Sequence, residues 1–215
     1  MPSAGSWSWA TICDSKAMPK PIRVMVVEGK DDLAALRGLV RRYFPNARSS
    51  LPADRAGESS WDLGSVIVSI MISPKAKSGL AERTLDAAEK GASERPDQIG
   101  VCFDPDGDAP GTEFSFFQKD FARCARGRAG ELRHLEGGRL TFRMRNRDVL
   151  VAPGPWRGDH GWKRAFRIWN AAVKPDAEAF VDGLLQEPST RGACLDALKE
   201  TRAAQVLFEL ALPPP

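Results

Sequence analysis

The chain has 215 residues, 42 % of them hydrophobic and 27 % charged, with a formal net charge of +3. That length and balance suit one α/β domain with additions, exclude a disordered chain, and permit an anionic partner without demanding one. No apolar run reaches membrane-spanning length, and Cys13, Cys102, Cys124 and Cys194 lack any CxxC or zinc spacing, so no membrane contact is expected and reduced thiols in a cytoplasm are.

Residues 1–20 read as a flexible tail rich in Ser, Ala and Trp, without the basic start and apolar stretch of a secretory signal. Met18, just before the first strand, is an alternative start. "IRVMVV" (22–27) is a short β-branched run and predicts a buried strand. From Asp31 to Tyr43, Leu33, Leu36, Leu39, Val40 and Tyr43 recur three and four apart, which predicts an amphipathic helix capped by Asp31 or Asp32 and ended by Pro45. Residues 46–64 are polar and read as a loop.

"SVIVSIMIS" (65–73) predicts a second strand and Gly79 to Lys90 a helix. "QIGVCFDPDGD" (98–108) is a third apolar run, in which Cys102 packs as a small hydrophobe before the chain turns acidic. Phe114 to Arg126 is expected to be helical, with Phe114, Phe117 and Phe121 on one side. Arg139 to Asn146 and Asp148 to Pro153 are strand candidates. Trp162, Phe166, Trp169 and Val173 mark an inward helix face, and the tail from Pro175 is helical with breaks near Pro188 and Gly192.

This alternation predicts an α/β fold: a largely parallel sheet of about four to five strands, with helices on both faces. The expected organisation is a tail over 1–20, an α/β domain over 21–153 and a C-terminal helical extension over 154–215.

Ligands bind such sheets beyond the carboxyl ends of their strands. Both acidic clusters occur there. "VVEGKDD" places Glu28 after the first strand, and "FDPDGD" places Asp104, Asp106 and Asp108 after the third. Right-handed crossovers make these strands neighbours. Glu28 with Asp104 and Asp106 offers the hard oxygen donors Mg²⁺ prefers, with Mn²⁺ as an alternative. Extended D-x-D side chains point the same way. The helix starting at Asp31 or Asp32 aims its positive end at the same place, which suits a phosphate. Against this, Asp31 and Asp32 serve equally well as helix caps.

The pair "VMVVEGKDD" and "IGVCFDPDGD" resembles the Toprim fold of topoisomerases, primases, the ribosomal RNA maturase M5 and the OLD-type nucleases. The wording "EGKDD" is nearest to small stand-alone Toprim proteins and the M5 type, and the resemblance covers roughly Ile22 to Pro153. It implies that Glu28 is a general acid/base or metal ligand and that Asp104 and Asp106 bind Mg²⁺. Asp32 matches a second acidic position of some members and joins the expected metal-binding set, and Asp108 is an additional acid in the outer shell of that metal site. The chain departs from the topoisomerase and primase patterns. Its single tyrosine, Tyr43, falls in the first helix, and no G-x-x-x-x-G-K-[ST] loop is fused to it.

Two rival motifs fail. The haloacid dehalogenase D-x-D stands near an N-terminus with a later acidic pair. An EF-hand loop needs Gly and Glu where Ala109 and Ser115 stand.

Lys30 stands two residues from Glu28 and suits either a phosphate contact or a plain surface position. Arg143, Arg145 and Arg147 alternate, which on one strand sets them in a row, with Trp156, Arg157, His160 and Lys163 following. Such a row suits a DNA or RNA backbone. The bland alternative is a charge-protected edge strand. His134 and His160 are single histidines with no metal spacing. The sequence thus supports a metal-dependent nuclease or phosphotransferase acting on nucleic acid. Its rival is a non-catalytic module that docks a protein partner, or a second copy, through its C-terminal helices.

Overall fold

In the computed structural model, Ile22–Val27 forms β1 and lies inside an eight-stranded sheet of order β2-β3-β4-β1-β5-β8-β7-β6. The residues described are 19–50, 58–90, 96–103, 110–126, 128, 130–134, 140–144, 147–155, 164–165 and 188–212. The strands are β1, β2 (Arg48–Ser49), β3 (Glu58–Asp62), β4 (Ile67–Ile72), β5 (Gln98–Phe103), β6 (Gly130–His134), β7 (Leu140–Met144) and β8 (Arg147–Pro155). The helices are α1 (Lys30–Tyr43), α2 (Leu80–Ala88), α3 (Pro110–Ala125), α4 (Pro188–Leu198) and α5 (Arg202–Ala211).

The α/β architecture is as expected, but the sheet is mixed rather than largely parallel. Only the central β4-β1-β5-β8 strands run parallel, and β2-β3 and β7-β6 flank them antiparallel. The sequence showed β7, within Arg139 to Asn146, but hid β2, β3 and β6, whose segments are polar. In "ESSWD" only Trp61 joins the apolar core, and Ser60 instead bonds Ser69 across the ladder at 2.8 Å. Cross-strand pairing, not an apolar run, makes β3 a strand.

Alternation along β1 builds two cores. Met25 and Val27 pack with α1, α4 and α5, whereas Val24 and Val26 pack with α2 and α3. The segment expected as a helical extension therefore supplies part of the main core, through Cys194, Leu198, Val206, Leu207 and Leu210. Burial pushes the Cys194 thiol up to about 11. Cys102 is fully buried in β5, as its apolar run implied.

Gly192 does not break the tail helix. α4 runs through it, with Pro188 at its first position, where a missing N–H costs nothing. A Cβ on Gly192 would sit 3.4 Å from Arg42 Nη1, an ordinary contact, so this turn of α4 faces α1. Trp162, Phe166 and Trp169 lie outside the described residues.

Arg23 is the unexpected core residue, 1 % exposed within β1. Its Nη1 donates to the carbonyls of Glu209, Leu210 and Leu212, closing the C-terminus of α5. Its Nε lies 3.6 Å from Asp97 Oδ1, an ion pair rather than a hydrogen bond. Arg23→Met strips these carbonyls of their donor and is expected to cost about 2–4 kcal/mol in urea unfolding.

Candidate active site

The parallel strands end together. Val27 pairs with Ile72 and Val26 with Val101, so the register continues to set Glu28 beside Ser73 on one side and Phe103 on the other. Phe103 in turn pairs with Pro155 of β8. Four strands therefore end on one side of the sheet: β1 at Val27, β4 at Ile72, β5 at Phe103 and β8 at Pro155. Asp104, Asp106 and Asp108 lie outside the described residues. Among the described residues, no three His, Cys, Asp or Glu side chains form a metal-binding group.

The β1–α1 junction separates the acidic residues by task. Glu28 is half-buried just past β1. Gly29 is the N-cap in an extended conformation, and Asp32 is the third residue of α1. The Gly29 N–H donates to Asp32 Oδ2 at 3.0 Å, so Asp32 closes the helix start as a capping-box acid does. Lys30 is exposed on the first turn.

One part of this edge escaped the sequence reading. "SPKAKSG" (73–79) follows β4 and folds into a short 3-10 turn over Ala76–Gly79. Ser73 donates to Ala76 O at 2.6 Å, and Ala76 takes the left-handed φ of 48°. A Cβ on Gly79 would fall 2.6 Å from Ser73 Oγ, so only glycine fits that contact as it stands. The turn carries Lys77 to a pocket of about 260 Å³ also lined by Ser78, Leu80, Ala81, Phe103, Phe117 and Asp120. The available signal was two lysines in a short loop after a buried strand. Without knowing that β4 lies beside β1, nothing set that loop next to Glu28.

The arginine row is divided. Arg143 is exposed on β7, opposite Glu131 and Asp148, whereas Arg147 opens β8 opposite Met144. A hairpin separates them, and the register sets no single row. Arg147 is eight residues before Pro155, so it lies about 26 Å along the strand from the Glu28 edge. Arg145, Arg157 and Lys163 lie outside the described residues.

No protein-family model matches the chain, and no curated protein matches it. Among solved structures, it is similar to a hypothetical protein of Pyrococcus horikoshii OT3. The identity is 16 % and the TM-score 0.42, over 89 % of this chain and 80 % of that one. The fosfomycin resistance protein FosX of Mesorhizobium loti matches at 16 % identity and a TM-score of 0.19, over 60 % of this chain and 86 % of that one. An integron cassette protein of V. cholerae matches at 12 % identity and 0.20, over 62 % and 93 %. These likenesses assign neither fold nor function.

Proposed function

We propose that the protein is a Toprim-like, Mg²⁺-dependent enzyme that cleaves or transfers phosphodiesters of DNA or RNA, working in the cytoplasm. The observation that carries this reading is the pairing of β1 with β5. Glu28 and the chain entering Asp104 leave adjacent parallel strands at one sheet edge. Glu28, Asp104 and Asp106 would hold Mg²⁺ or Mn²⁺, which supplies charge neutralisation at a phosphoryl oxygen and an activated water. Asp108 would stand outside that set, and Asp32 would keep the α1 start in register with it. In the alternative arrangement Asp104 and Asp106 would hold the metal and Glu28 would instead accept the proton of the attacking water. The N-terminus of α1, with Lys30, favours the substrate phosphate.

The rival reading, a non-catalytic module docking through its C-terminal helices, has less support. The apolar stripe of α5 already faces this chain's own sheet.

Calorimetric titration with Mg²⁺ tests the proposal. The expected result is binding by the wild type and none by Asp104→Ala/Asp106→Ala, with unchanged circular dichroism. Equal binding by the double variant, or none by the wild type, would overturn it.

A further inference from the structure

α1 and α4 pack closely at Gly38, where a Cβ would meet Leu195 Cδ2 at 3.0 Å. Beside this contact is a groove of about 440 Å³ lined by Gly38, Arg41, Arg42, Arg191, Gly192 and Leu195. Three arginines thus line one groove beside two glycines. Arg42 is fixed in place: its Nε and Nη2 grip Asp196 at 2.9 and 2.7 Å, and the Tyr43 hydroxyl donates to the same carboxylate. Those bonds, from Tyr43 first and then Arg42, hold the Asp196 carboxyl below its ordinary range. Arg42 Nη1 is left on the Gly192 side.

Asp196 offsets one of the three charges. Among the described residues, Arg41 and Arg191 have no hydrogen-bond or carboxylate partner. A helix-dipole role accounts for Arg41 and Arg42, which lie in the last turn of α1. It does not account for Arg191, which reaches the groove from near the positive end of α4, where a cation is disfavoured. Like charges brought together in a groove are stabilised by an anion, and guanidinium forks match phosphate oxygens.

We infer that this groove binds the phosphates of a nucleic-acid strand. The identity of the ligand rests on the function proposed above; the anion site itself does not. α1 has 14 residues, so the groove lies about 20 Å from Glu28 along the helix, as a second hold on a strand that reaches the acidic edge.

The test is fluorescence anisotropy of a labelled single-stranded oligonucleotide in EDTA, where metal plays no part. Arg41→Glu/Arg191→Glu is expected to weaken binding at least tenfold and to make its salt dependence shallower by about 1–2 in log–log slope. The Mg²⁺ titration of the wild type is read separately from this metal-free assay, so a failed metal site and a failed groove are told apart. Arg123→Glu/Arg126→Glu, at the end of α3, makes the same charge change and is expected to leave affinity within threefold. Unchanged affinity in the groove variant, or equal loss in the α3 variant, would overturn the inference. Displacement by tripolyphosphate as readily as by unlabelled strand would reassign the groove to a small free anion. Circular dichroism checks that each variant is folded.

Discussion

Glu28→Gln is expected to lower metal-dependent cleavage of a nucleic-acid substrate by about 10²- to 10⁴-fold while leaving the protein folded. The division of labour at the β1–α1 junction is the reason. The cap of α1 is made by Asp32, whose Oδ2 takes the Gly29 N–H, so the Glu28 carboxylate is not needed to start the helix. Glutamine keeps the size of the side chain but loses its negative charge and its capacity to accept a proton. Asp32→Ala makes the contrast. It is expected to cost about 1 kcal/mol of stability through the lost cap. Its rate per folded molecule falls far less than that of Glu28→Gln. The comparison needs urea unfolding and initial rates for both variants. A Glu28→Gln protein cleaving at the wild-type rate would remove Glu28 from the chemistry.

Gly100→Val is expected to destabilise the fold by about 3 kcal/mol, the upper end for an overfilled core. Gly100 is in the middle of β5, and α5 crosses the sheet directly over it. A Cβ there would lie 2.4 Å from Met25 Sδ, 2.7 Å from Val206 Cγ1 and 3.1 Å from Leu210 Cδ1. Met25 is able to swing its sulfur aside, but Val206 and Leu210 belong to the helix, so relief requires α5 to lift away. Lifting α5 also separates Arg23 from the carbonyls it closes. A double-mutant cycle with Gly100→Ala and Val206→Ala isolates the contact. Removing Cγ1 is expected to return about 1 kcal/mol of the Gly100→Ala penalty. Additive effects in that cycle would mean that α5 does not rest on Gly100.

The elements legible in the sequence are those whose burial leaves a periodic record. "IRVMVV", "IVSIMI" and "QIGVCF" are buried on both faces and read as apolar runs, and α1 shows its inward stripe. That both acidic clusters follow such runs was also legible, because chain order alone places Glu28 after one strand and Asp104 after another. What depends on partners distant in sequence was not. β3 and β6 are polar strands made by cross-strand pairing. Arg23 reads as a flaw in an apolar strand until α5, nearly 190 residues later, brings it carbonyls to hold. The arginines of the α1–α4 groove are surface charges until two helices some 150 residues apart close on each other. The sequence by itself determined which segments are strands and helices with apolar faces, because local periodicity is a property of neighbouring residues. Only the tertiary structure decided that β1 lies between β4 and β5, that Lys77 shares the edge with Glu28, and that Arg143 and Arg147 do not. Strand order and register are settled by contacts between residues far apart in the chain.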